Sequence, residues 1–265
     1  MILFVFEGKE YEPEIMDTIK ELYFKDDKDV FVSYCSDIQS LFNKMNKDRD
    51  LDLVGLLKEN EKKHPEVEKK LQNYKSDDFS EIYLFFDYDI KKTDKYNKDS
   101  LKTQNEKIKG MLELFNNETV NGKLYINYPM VESIKYFKKE LPDEDYYTYT
   151  ANLFIGKNFK DETNNFTYYK NKKLDFIICK YKKENIMKMN LNVRKANWLH
   201  IINLNIKKAN YICSGLNELP TEKTSINQQT IFKNQMYKYV YSKNRIAILN
   251  SFPLFLYEYF SYPLF

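Results

Sequence analysis

The chain reads as an α/β protein built on a parallel sheet of about four strands flanked by helices, with a mainly helical C-terminal region. Three observations predict this. Apolar runs of strand length recur at Ile2–Phe6, Val30–Tyr34, Glu81–Phe86 and Lys123–Asn127. Segments with helical apolar spacing separate them, and the pattern changes after Leu141-Pro142. Runs without polar alternation suit strands buried on both faces, and the β-α-β order places helices on both sides of such a sheet.

Taken in order, Ile2–Phe6 stops abruptly at Glu7-Gly8. Pro13 then stands where a first helical turn tolerates proline, and Ile15, Ile19, Leu22 and Tyr23 share one face. After the second strand, Asp37–Met45 and Leu51–Glu59 read as helices, and Lys58–Lys75 as a charged excursion. The third strand runs into Asp87-Tyr88-Asp89. A polar segment, Lys91–Ser100, precedes a helix with Ile108, Met111, Leu112 and Phe115 on one side. Asn121-Gly122 marks the turn into the fourth strand, and Pro129 opens a short helix over Met130–Phe137.

The soft boundary falls near 138–150, giving a first unit over 1–140, with a helical insertion at about 36–78, and a second region over 141–265. In that region Phe166–Tyr181 reads as a hairpin, and Asn192–Cys213 and Ile226–Tyr241 as helices. Ile246–Phe265 is strongly apolar. Asn250, Pro253, Glu258 and Pro263 interrupt it, so it reads as a buried or partner-facing helix and not as a membrane span.

Composition narrows the classes. With 43% hydrophobic and 16% aromatic residues the chain can bury a sizeable core, which excludes a disordered protein. Cys35, Cys179 and Cys213 are odd in number and far apart, which fits neither a disulfide framework nor a zinc knuckle and makes a reducing cytoplasm the default. The opening MILFVFEGKE has no basic segment before its apolar run, so it does not read as a signal peptide. The net charge of +3 conceals a split: residues 1–137 carry 22 Lys/Arg against 28 Asp/Glu, residues 138–265 carry 20 against 11. An acidic half joined to a basic half suits a metal-dependent enzyme acting on a polyanion, although Lys outnumbers Arg 39 to 3 and solvated lysine faces are common.

The acidic residues fall where open parallel sheets collect ligands, beyond the carboxyl ends of the strands. Glu7 ends the first strand, Asp87 and Asp89 end the third, and Glu132 lies on the turn after the fourth. Asp87 and Asp89, two apart on an extended exit, point the same way and can share a hard cation. Acidic residues at strand ends also serve as turn formers and caps, but Glu is a poor turn residue, and Gly8 lets backbone approach a ligand closely. His64 and His200 are too isolated for a zinc site.

A hydrophobic strand ending in Glu-Gly, then a helix, then a strand ending in Asp-x-Asp resembles the Toprim domain of topoisomerases, primases and nucleases. The segment Glu7-Gly8-Lys9-Glu10-Tyr11-Glu12-Pro13 is similar to the OLD and RloB-type antiphage defence group. Asn127-Tyr128-Pro129-Met130-Val131-Glu132 is similar to a Pro-x-x-Glu element of such proteins. The resemblance covers about residues 1–137. It implies a nuclease requiring Mg²⁺ (or Mn²⁺) that cuts RNA such as tRNA, or DNA, as a cytoplasmic, abortive-infection effector. Glu7, Asp87 and Asp89 would be catalytic and metal-ligating, with Glu12 and Glu132 completing a second metal position. A housekeeping RNA-maturation ribonuclease and a non-catalytic Toprim-fold assembly subunit are the alternatives.

Lys9, beside Glu7, is a candidate for holding phosphate. Tyr168, Tyr169, Lys170, Lys172 and Lys173 interleave aromatic and basic residues as a single-strand binding surface would, and as an amphipathic hairpin also does. Arg194-Lys195 and Lys207-Lys208, flanking Trp198, read as a solvated face. No Walker A sequence occurs, so ATP-driven control would fall to a partner ATPase; a homo-oligomer is the other expected assembly.

Overall fold

The computed structural model describes residues 1–24, 30–33, 38–47, 52–58, 69–88, 98–137, 143–164 and 191–260. Its main sheet contains β1 (Ile2–Phe6), β2 (Val30–Ser33), β3 (Glu81–Asp87), β4 (Asn116–Asn117) and β5 (Gly122–Asn127), in the spatial order β2-β1-β3-β5-β4. The first three and β5 run parallel, and the two-residue β4 lies antiparallel on the edge. The fold is therefore mixed α/β with a mostly parallel sheet. β5 starts at Gly122, where φ is +99° and a Cβ would come within 2.8 Å of Leu84 Cδ1, so glycine alone fits there without strain.

The residues of β1 are all buried, in keeping with their unbroken apolarity. Register aligns Phe4 with Tyr83, Phe6 with Phe85, and Phe85 with Tyr125, so alternate positions place a field of rings on one face. Helix α1 (Tyr11–Tyr23) buries Ile15, Met16, Ile19 and Leu22. Pro13 lies in its first turn, where backbone N–H groups have no helical acceptor to lose. Helices α2 (Ile38–Lys47) and α3 (Leu53–Lys58) follow β2, and α2 packs on α4 (Lys98–Leu114), which buries Ile108, Met111 and Leu112.

The later residues close over this sheet. After 3-10 turns at Val131–Lys135 and Asp143–Thr148 come β6 (Thr150–Asn152), α5 (Lys157–Asn164), α6 (Leu191–Ser214) and α7 (Gln228–Gln235). A π-helical turn, Met236–Val240, then leads to β7 (Arg245–Ala247), which pairs with β6, and to α8 (Ser251–Tyr259). The apolar stretch Ile246–Phe265, expected to be one buried helix, divides: Ile246 and Ala247 lie in β7, only Ser251–Tyr259 forms α8, and 261–265 lie outside the described residues. Helix α8 lies on the aromatic face of the sheet. Phe252 stacks on Phe85 at 4.5 Å, and Phe255 meets Phe4, Tyr83, Phe85 and Tyr125 edge-on. Burying each ring contributes about 1.5–3 kcal/mol, and the edge-on geometry adds to it. No helix among the described residues is long and apolar enough to cross a membrane. Across the sequence boundary near 140, Tyr128 and Leu249 exchange backbone hydrogen bonds of 2.8 and 2.9 Å.

One expectation is corrected. Arg194 and Lys208 do not lie on a solvated face of α6: Arg194 is 4% exposed and Lys208 0%. Arg194 pairs with Glu21 at 2.6 Å, joining α6 to α1. The Lys208 amine donates to the carbonyls of Tyr146 (3.0 Å) and Tyr149 (2.6 Å) and lies over both rings. Burial pushes its pKa well below the ordinary lysine value.

Candidate functional site

The carboxyl ends of β1, β3 and β5 place the acidic residues side by side. Glu7 continues the ladder, its N–H donating to Phe85 O, and its Oε2 accepts the Asp87 N–H at 2.9 Å. Glu12 stands in the first turn of α1, where the helix dipole favours a carboxylate, and it is only 4% exposed. Its Oε1 accepts the Gly8 N–H at 3.0 Å. A Cβ on residue 8 would come within 2.6 Å of Glu12 Oε2, so the glycine makes room for this carboxylate. Glu132, also 4% exposed, sits on the 3-10 turn after β5 and pairs with Lys160 of α5 at 3.2 Å.

Electrostatics shows that these groups are neighbours. Burial first, and then the charges of Glu7, Glu12 and Glu132, push the Asp87 carboxyl well above the ordinary range, opposed by a hydrogen bond from Asn127. Burial raises Glu12 as well, with a further push from Glu132 and relief from the Gly8 N–H and Lys160. Glu7, Glu12 and Glu132 are thus all close enough to Asp87 for their charges to act on it. As they stand, no three Asp, Glu, His or Cys side chains among the described residues are arranged to hold a metal ion. Two of the four, Glu7 and Glu12, are engaged by backbone N–H groups.

Lys9 is exposed next to this cluster. Asp89, Tyr168, Tyr169, Lys170, Lys172 and Lys173, together with the 166–181 hairpin, Cys35, Cys179 and His64, lie outside the described residues. His200, read from sequence as isolated, faces Asp143 at 3.1 Å.

Sequence reasoning missed the residues that hold the cluster from behind. Asn127, fully buried at the end of β5, donates to Asp87 Oδ1 at 3.0 Å. Its own carbonyl accepts from the Ser251 N–H (3.0 Å) and hydroxyl (2.7 Å) at the start of α8. Asn250 caps α8 through its side-chain carbonyl, while its amide donates to Val131 O and Ser133 Oγ. Asp87 and the turn bearing Glu132 are therefore bolted to one helix start. The signal was present in part: Asn250-Ser251 before an apolar helix is an N-terminal capping pattern. On the outer side Lys135 donates to Asn164 and lies 4.1 Å from the Tyr11 ring centroid, and Tyr136 stacks on Phe159, so α5 leans over the turn.

An α/β scaffold with a carboxylate cluster at the strand exits is the class that fold and site define. No family model, curated protein or solved structure matches the chain.

Proposed function

We propose that the chain is a Toprim-like, divalent-metal-dependent nuclease that hydrolyses phosphodiester bonds in nucleic acid. One observation carries the reading: four carboxylates, Glu7, Glu12, Asp87 and Glu132, converge beyond the carboxyl ends of parallel strands, and the charged groups that perturb Asp87 are all carboxylates. A cluster of this sign and hardness suits Mg²⁺ or Mn²⁺. Asp87, Glu7, Glu12 and Glu132 would hold the ions, with Asp89 added from the sequence pattern. Bound there, a pair of such ions supplies stabilisation of charge on the phosphate oxygens. Glu7 would take the proton from attacking water, released from the Asp87 N–H as substrate and ions enter. Asn127 fixes Asp87, and Gly8 leaves room for the Glu12 carboxylate and donates its N–H to it. The similarity of Glu7–Pro13 to defence-type members supports an antiphage role, with an RNA or DNA substrate.

A second reading, a Toprim-fold assembly subunit without catalysis, is favoured by the engagement of Glu7 and Glu12 with backbone N–H groups. One experiment separates the two. The chain is incubated with total RNA, plasmid and single-stranded DNA, with Mg²⁺, Mn²⁺ or EDTA, alongside Asp87→Asn. Cleavage that needs metal and disappears in the variant supports the nuclease. Absence of cleavage on every substrate, or cleavage that survives EDTA or Asp87→Asn, overturns it.

A further inference from the structure

The residue after Asp87 leads away from the carboxylates toward an exposed aromatic edge. Tyr88 is 2% exposed, and its hydroxyl donates to Asn105 Oδ1 at 2.7 Å and lies 3.4 Å from Met236 Sδ. Asn105, equally buried, donates its amide to the Tyr241 hydroxyl at 3.2 Å. Tyr241 is 44% exposed and Tyr237 67%, with ring centroids 6.2 Å apart and planes near perpendicular. Among the described residues most large aromatic side chains are buried, so a pair turned outward and anchored from beneath stands apart.

Local structure explains the pairing. Met236–Val240 is a π-helical turn, a rare geometry that is frequent at functional sites. It buries Met236, Tyr239 and Val240 while leaving Tyr237 in solvent and Tyr241 at the rim. The flanking charge has one sign: Gln228–Arg245 contains Lys233, Lys238, Lys243 and Arg245 and no acidic residue. Lys238 is committed to the carbonyls of Ile212 and Cys213, and Arg245 to Thr150, whereas Lys233 is exposed and Lys243, also exposed, has its amine 5.3 Å from the Tyr239 ring centroid.

From this geometry we infer that Tyr237 and Tyr241, with Lys233 and Lys243, form a platform on which unpaired bases of single-stranded nucleic acid stack while the lysines track the backbone. The choice of nucleic acid as occupant rests on the nuclease reading; the stacking site itself rests on the exposed rings and their charge. Bases accept an exposed aromatic face whatever their identity, and duplex bases cannot reach it. Tyr241, held by Asn105, is tied through Tyr88 to the end of β3, which fixes the platform on the body of the fold.

The test uses the full chain in EDTA with short fluorescein-labelled single-stranded and duplex oligonucleotides, read by anisotropy over a range of salt. Tyr237→Leu should weaken single-strand binding by about 5- to 150-fold, the equivalent of one lost stack, with an unchanged salt slope. Tyr237→Phe should bind as wild type, and duplex binding should change less than about twofold. The pair Lys233→Gln and Lys243→Gln should reduce the slope by about 0.7 for each single-strand phosphate released. A Tyr237→Leu/Tyr241→Leu variant that binds single strands as tightly as wild type overturns the platform, as does a wild-type chain that binds no oligonucleotide. Cleavage with Mg²⁺ is scored separately. Asp87→Asn-sensitive cleavage with no effect of the tyrosines leaves the nuclease standing and removes the platform, and tyrosine-dependent binding without cleavage does the reverse.

Discussion

Replacing Asn127 with alanine should unfold the protein more readily than any change at the carboxylates themselves. The side chain makes three hydrogen bonds, one to Asp87 Oδ1 and two accepted from Ser251, and is 0% exposed. Losing the bond to the buried Asp87 carboxyl costs about 1–3 kcal/mol, and the two Ser251 bonds about 1 kcal/mol each. Ser251 is buried too, so water does not replace them, and the total is about 3–5 kcal/mol. Ser251→Ala alone removes one bond and should cost about 1 kcal/mol. Made in the Asn127→Ala background it should cost close to nothing, because it deletes a donor already orphaned; the double-mutant cycle should return about 1 kcal/mol of coupling. Urea denaturation with unchanged m-value is the assay. A loss below about 1 kcal/mol for Asn127→Ala, or strictly additive single and double variants, would refute the idea that this asparagine joins Asp87 to α8.

Other expectations concern the cluster and the buried amine. Glu7→Gln should lower metal-dependent cleavage by roughly 10²–10⁴-fold if Glu7 transfers a proton, and a drop under about fivefold in single-turnover rate would remove it from that role. Gly8→Ala should leave thermal stability within about 1 kcal/mol, since only the flexible Glu12 side chain must move, yet reduce cleavage at low Mg²⁺ by displacing that carboxylate; unchanged Mg²⁺ dependence would count against Glu12 as a ligand. Lys208 has a depressed folded-state pKa, so above that value the unfolded chain binds the extra proton and stability rises with pH, by up to about 1.4 kcal/mol per unit, until the unfolded value of about 10.4. Denaturation midpoints of wild type and Lys208→Met measured from pH 7 to 10 should therefore diverge in favour of wild type; parallel profiles would mean that the amine stays charged inside.

The part of this fold legible in sequence is the part that local pattern controls. Ile2–Phe6 and Glu81–Phe86 announce themselves as two-sided strands because nothing polar interrupts them, and register then brings Glu7 and Asp87 to adjacent exits. Glu132 could be placed near them because it follows its strand by only a few residues, whereas Glu12 was named through the Toprim resemblance of Glu7–Pro13. What local pattern does not carry is the destination of long-range partners. Arg194 and Lys208 look like solvent residues, since their charge says nothing of Glu21 or of two carbonyls on another turn. Asn127 looks like an ordinary strand-end polar residue until Ser251, 124 positions later, arrives to use its carbonyl. The apolar character of α8 was plain, but the face it covers is fixed by matching rings across the sheet.

That covering helix also dictates when the site can exist during synthesis. The rings of Phe4, Phe6, Tyr83 and Phe85 leave the ribosome long before Phe252 and Phe255, and Asp87 precedes Phe255 by 168 residues. At about 5–20 residues per second, roughly 10–30 s separate them. Through that interval one sheet face lacks its lid, and Asn127 lacks the serine that fixes its orientation. A nascent chain thus carries all four carboxylates without the frame that positions them. The carboxylate cluster is therefore framed only once the later helices have been translated and docked.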